Sequence, residues 1–221
     1  MRLILGIVVS LLPALVQAQI FGGGLYAGIV TSQVSGDELG GFNKPGFWGG
    51  GYVDVRFRPK STLQMEMSFI QKGSRMAPNV DNNNQYYLIG LNYIELPLLY
   101  RWYGIRNMSI ELGPQFGFLV SQSEDNQFGP ITGKPPFKVF ELSGAVGLSY
   151  FFLPSKKLEV NARYANSILP VRGEFIQWPF GGQLNQLISF SIRWWFKTTY
   201  VAPPKKKDAQ KPEAVPEKEA Q

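Results

Sequence analysis

The chain contains neither cysteine nor histidine. Without cysteine there is no disulfide framework, no thiolate metal site and no cysteine nucleophile. Without histidine, Ser-His-Asp chemistry and His-ligated zinc are excluded. Charge is also scarce, at 17%, against the ~25% usual in soluble domains. An enzyme would need carboxylate, Lys or Tyr chemistry, and no spacing fixes two carboxylates at a catalytic separation. No enzymatic activity and no cofactor is therefore expected. No stretch after Leu12 offers the ~20 consecutive apolar residues of a membrane helix. Glycine (24), proline (16) and aromatics (14%) are plentiful, which disfavours helices and favours strands. At 44% apolar, the chain does not have the composition of a disordered one.

Residues 1–18 read as a secretory signal peptide. Met1-Arg2 precedes the apolar run Leu3–Leu12, and Val16-Gln17-Ala18 is a small-residue exit that places cleavage before Gln19. The run is too short for a membrane anchor, and Pro13 interrupts it. No cysteine follows, so a lipoprotein is excluded. The net charge is +6, but Lys197 and the residues after it carry six Lys against four acids. Between Arg2 and Lys197 stand 15 basic and 12 acidic residues. The basicity is partly a tail effect, and no nucleic-acid partner follows from it.

Period-two alternation dominates residues 19–197. In the last segment Ile188, Phe190, Ile192, Trp194 and Phe196 share a face opposite Ser189, Ser191, Arg193 and Trp195. Segments around Leu63–Phe69, Ile94–Trp102, Ile110–Val120, Leu142–Tyr150, Leu158–Tyr164 and Val53–Phe57 alternate likewise. The Gly-rich Phe21–Val30 is a less regular first strand. The eight strands are joined alternately by long and short connections. Tight turns fall at Arg58–Ser61, Gly104–Asn107 and Pro154–Lys157, and long loops at roughly 32–45, 74–86, 122–136 and 168–183. Strict alternation predicts an all-β fold: an eight-stranded antiparallel up-and-down transmembrane β-barrel, with short periplasmic turns and long outer loops.

One face of these strands is large and apolar. The other carries Asp54, Arg56, Glu66, Glu95, Arg101, Glu111, Glu141, Glu159, Arg163 and Arg193. Aromatics gather at the strand ends: Trp102, Tyr103, Tyr150, Trp194 and Phe196 at one rim and Trp48 at the other. That distribution fits interfacial girdles, with the apolar face toward lipid. A soluble lipocalin-like periplasmic barrel would instead bury its aromatics in mid-strand. Eight strands leave an interior that side chains fill, so the inward acids and arginines are expected to pair into a structural plug. A proton or ion path, or acid-base chemistry, is the competing reading of the same residues. Pro97 and Pro114 lack an N–H within a sheet that has no edge, and a bulge is expected at each.

The segment Gly90-Leu91-Asn92-Tyr93-Ile94-Glu95-Leu96-Pro97-Leu98-Leu99-Tyr100-Arg101-Trp102 resembles the central motif of PorT-family outer-membrane barrels of Bacteroidetes-type bacteria. The strand ending in Gln71-Lys72-Gly73 and the segment Glu111–Gly117 are similar to the same family. The resemblance implies an eight-stranded barrel in the outer membrane of a Gram-negative cell. PorT itself is tied to type IX secretion and gliding, and no residue here singles out that member. Trp194-Trp195-Phe196 is similar to the aromatic ending read by the barrel-assembly machinery during insertion, except that a tail follows it.

The tail, 198–221, is Lys-, Pro- and Glu-rich and expected to be disordered in the periplasm. Lys205, Lys206 and Lys207 would serve contact with a periplasmic or envelope-complex partner, or with anionic groups. The outer runs Asp81–Asn84 and Ser123–Asn126 match no calcium loop and read as polar surface. The leading functional reading is a small plugged barrel, a structural or interaction component of the envelope, accessory to a secretion or envelope complex and surrounded by outer-membrane lipid. A narrow channel for small solutes is the alternative.

Overall fold

The computed structural model describes residues 20–37, 39–152, 157–173 and 182–197. The expected signal peptide, most of the Pro154–Lys157 turn and the tail with Lys205–Lys207 lie outside them. The strands are β1 (Ile20–Ser35), β2 (Lys44–Arg58), β3 (Ser61–Met76), β4 (Tyr87–Trp102), β5 (Met108–Asn126), the two-residue β6 (Gly129–Pro130), β7 (Phe140–Phe151), β8 (Leu158–Ser167) and β9 (Leu184–Lys197). Every pairing is antiparallel, and the order runs β4-β3-β2-β1-β9-β8-β7-β5. A β4–β5 pairing joins the two ends, so the eight long strands form a closed cylinder. The strand β6 only extends the outer end of β5 into its loop.

Closure leaves no unpaired edge, which is what allows strands to cross a bilayer. The apolar outer face of β9 runs from Ile188 to Phe196. At ~3.3 Å per residue and a tilt of about 40°, that run covers roughly 20 Å, close to the ~25 Å apolar band of such barrels.

The strands extend well beyond their apolar bands at the outer end. β2 begins at Lys44 rather than near Val53, and β4 at Tyr87. The extensions carry outward polar pairs such as Gln33–Gln186 and Asn92–Ser121, which have no apolar alternation to advertise them. The Gly-rich start is explained by register. Gly24 faces Tyr52, Gly50 faces Tyr26 and Gly28 faces Trp48, so each inward aromatic lies across from a residue without a side chain. A Cβ on Gly24 would stand 2.5 Å from the Tyr52 hydroxyl.

The prolines correct an expectation. Neither Pro97 nor Pro114 sits in a bulge. β5–β7 pairing runs in one register through Pro114, and β3–β4 and β4–β5 keep theirs across Pro97. The sheet instead loses individual pairings nearby, opposite Glu66 and Met67 and between Leu98–Leu99 and Gly113–Pro114. A missing N–H removes one bond from the ladder and does not require an extra residue. The register shifts fall at Gly23/Gly24, Arg56/Arg58 and Asn92/Tyr93.

Candidate functional site

Strand pleat sends alternate side chains into the cylinder, and there the ionic residues meet. Glu66 of β3 lies at the centre of the lower network. Arg163, on β8 across the lumen, donates to both its carboxylate oxygens at 2.9 and 2.8 Å. Arg193 reaches the same carboxylate at 3.0 Å, and Tyr26 and Gln64 donate to it as well. The second acid, Glu111, accepts from Arg163 Nε at 2.7 Å and from Asn161 at 2.9 Å. Arg101 bonds Glu159, Gln64, Ser109 and Ser149, while Trp195 Nε1 donates to the other Glu159 oxygen at 2.6 Å. The fork of an arginine suits this work, because it serves several acceptors in fixed directions.

A second cluster lies toward the outer end. Lys72 Nζ stands 2.5 Å from Glu95 and 2.9 Å from Glu141. Gln115 donates to Glu95, and Asn185 and Ser143 donate to Glu141. Toward the outer mouth Val34, Ile89, Leu91, Leu187, Phe137 and Val171 are all buried in the lumen, with Ser32, Ser74 and Asn185 among them.

Of the ten charged residues predicted to face inward, nine are buried: Asp54, Glu66, Glu95, Arg101, Glu111, Glu141, Glu159, Arg163 and Arg193. Arg56 is the exception, half-buried at the turn end, where the cylinder opens. Lys72, only 1% exposed, is a lumen cation that the sequence reading missed. Continuing the period of Gln64, Glu66 and Ser68 through Ile70 points directly at it.

The girdle also needs correction. Trp102, Tyr150, Trp194 and Phe196 face outward at the turn end. Trp48 and Tyr103 do not, since both are 2% exposed and project into the lumen. They stack on its cations. The Arg163 guanidinium lies 4.9 Å from the Trp48 ring, and that of Arg101 lies 5.5 Å from both Tyr103 and Trp195. Desolvated cations gain from such ring faces, which favours placing large aromatics inside. The outer border is marked instead by Phe47, Phe69, Phe118, Phe140 and Phe190.

Large apolar side chains thus face out around the whole cylinder and ions face in, the reverse of a soluble binding barrel. The sequence model of the outer membrane protein beta-barrel domain matches residues 16–171. The chain belongs to the outer membrane protein beta-barrel domain family. The family's setting is the outer membrane, consistent with the apolar band. Among solved structures, Neisserial surface protein A is 14% identical, with a TM-score of 0.50 over 80% of this chain and 98% of that one. Ail, the attachment invasion locus protein of Yersinia pestis, solved in complex with the heparin analogue sucrose octasulfate, is 13% identical, with a TM-score of 0.48 over 80% and 99%. OprG of Pseudomonas aeruginosa is 9% identical, with a TM-score of 0.40 over 81% and 96%. At these identities the likeness is one of fold alone. No curated protein matches the chain.

Two of the outer loops, β5–β7 and β8–β9, are tied to the barrel of this family member by one carboxylate. Glu124 accepts from Arg172 and Lys134, each at 2.6 Å, and from the Tyr87 hydroxyl. Arg172 also stacks 3.8 Å above Phe137. A cleft of about 420 Å³ opens beside them, lined by Gln122, Ile131, Lys134 and Phe137 among others. The Asp81–Asn84 run is a self-satisfied turn in which Asn82 bonds Ala77, Asn79 and Gln85.

Glu124 stands above the apolar band. Burial pushes its carboxyl up, but hydrogen bonds from Arg172, Lys134 and Tyr87 outweigh burial and hold it at about 2. A lowered carboxyl stabilises the folded state above its ordinary value of 4.5 and loses that contribution as pH falls toward 2. Protection of the β5–β7 loop amides, taken relative to intrinsic exchange at each pH, should therefore fall between those limits and stay constant above them. Glu124→Gln should show the lowered protection already at neutral pH.

Proposed function

We propose that this outer-membrane barrel is a closed, non-enzymatic scaffold of the cell envelope that displays its outer loops and conducts no solute. The observation that supports this reading is the Arg163–Glu66–Arg193–Glu111 network. It joins β3, β5, β8 and β9 across the lumen with ions that are almost wholly desolvated. A solute path along the axis would have to displace paired charges from one another at high cost. The buried apolar side chains of Val34, Ile89, Leu91 and Leu187 toward the outer mouth add a second barrier.

The finer likeness to PorT barrels belongs to the same reading. Its motif, Gly90–Trp102, supplies Tyr93, Glu95, Leu99 and Arg101 to the lumen, and Ile94, Leu96, Leu98, Tyr100 and Trp102 to the wall. Those residues build a cylinder, and none of them is left over to recognise a secretion partner. An accessory place in an envelope complex therefore rests on the loops and the periplasmic tail. The test is electrical. The full mature chain in planar bilayers should show no steady conductance, and its vesicles should not swell in small sugars. Regular open-channel steps from the wild type would contradict the closed lumen and favour the narrow-channel reading.

A further inference from the structure

At the turn end of the barrel the exposed charges among the described residues are all of one sign. Arg58 and Lys60 flank the β2–β3 turn, Arg106 lies in the β4–β5 turn, and Lys157 leads into β8. All four are exposed, and half-buried Arg56 is close by. The acids of the same end, Asp54, Glu111 and Glu159, point into the lumen and are fully buried. Among the described residues no exposed acid offsets these cations. The outer end differs, because exposed Asp81 accompanies Arg75, Lys134 and Lys138 there.

Position around the cylinder matters as much as sign. The turns that carry these residues join β2 to β3, β4 to β5 and β7 to β8, so the charge is spread around the circumference. Just above them stand Phe57, Trp102, Ile105, Tyr150 and Trp194, all facing outward. Trp and Tyr sit at headgroup depth in such barrels, and short turns face the periplasm. Basic side chains one step beyond that ring lie level with phosphates. A compact acidic protein would touch one sector of the rim, whereas a leaflet touches all of it.

We infer that this rim is a docking surface for anionic phospholipid headgroups of the periplasmic leaflet. The inference does not depend on whether the lumen conducts. Each exposed cation near an anionic surface should enrich such lipids about fivefold locally.

The chain carries its own reporters. Trp102 and Trp194 face lipid at this depth, whereas Trp48 and Trp195 are shut in the lumen. The full mature chain, carrying Trp178→Phe so that only Trp48, Trp102, Trp194 and Trp195 emit, is reconstituted in phosphatidylcholine vesicles. These contain equal mole fractions of acyl-brominated phosphatidylglycerol or acyl-brominated phosphatidylcholine. At low salt the anionic quencher should reduce the fluorescence more strongly. The difference should vanish at about 1 M salt, where the screening length is ~3 Å. It should also vanish in the combined Arg58→Gln, Lys60→Gln, Arg106→Gln, Lys157→Gln variant. Equal quenching by both lipids at low salt would overturn the inference, as would a preference that survives in that variant. Should the variant fail to insert, the salt titration of the unsubstituted rim decides alone.

Discussion

Arg163→Ala should be the most damaging single substitution in the lumen. The guanidinium engages Glu66 through two nitrogens and Glu111 through a third, and its plane lies over Trp48. Truncation leaves two carboxylates in a dry interior with fewer partners. Removing one member of a buried pair costs about 3–5 kcal/mol, most of it the penalty of the stranded charge. Arg193 remains near both acids, at 3.0 Å from Glu66 and 3.9 Å from Glu111, and recovers part of this. The measurement is reversible urea unfolding in lipid vesicles, followed by the gel-mobility shift of folded barrels. Arg163→Lys should fall between the wild type and Arg163→Ala, because a point charge replaces the fork. The double variant with Glu66→Gln should be more stable than Arg163→Ala alone. A loss for Arg163→Ala within experimental error would mean that the network does not hold the strands together.

Ile192→Arg tests the opposite face. Ile192 is 60% exposed on β9, midway between Ile188 and Phe196. If that surface meets acyl chains, an arginine there pays for leaving water near the bilayer midplane, about 2–4 kcal/mol in barrels of this kind. Val80→Arg is the control. Val80 is also exposed but lies in an outer loop, where substitutions generally stay within ~0.5 kcal/mol. Unfolding midpoints should therefore drop sharply for the first and hardly at all for the second. Equal, small effects would place Ile192 in water.

The outline of the cylinder was legible because a lipid-facing strand writes its two environments directly into period two. β9 states the rule most clearly, with Ile188 to Phe196 outside and Ser189 to Trp195 inside. Trp48 and Tyr103 were misread for a physical reason. An aromatic near a strand end fits either a girdle or the lid of a cation, and the choice is made by partners on other strands. For Trp48 those partners are Gly28 opposite and Arg163 across the lumen. The pleat of β2 already puts Trp48 on the face of Asp54, and that parity outranks proximity to the strand end. Lys72 was overlooked because Ile70 interrupts the polar inward series just before it. The ties of Glu124 to Arg172 and Lys134 could not be read at all, since they depend on how two loops fold over one another.

The central claim is the direction of the two faces, and a cysteine scan of β9 tests it most directly because the chain has no native cysteine to confuse the labels. Single cysteines from Ile188 to Phe196, spin-labelled in lipid vesicles, are compared for collision with oxygen, which dissolves in the bilayer, and with a water-soluble nickel chelate. Ile188, Phe190, Ile192 and Trp194 positions should favour oxygen, with Ser189 and Ser191 shielded from both. Strong nickel access at the first set would show those side chains in water and contradict the barrel as described.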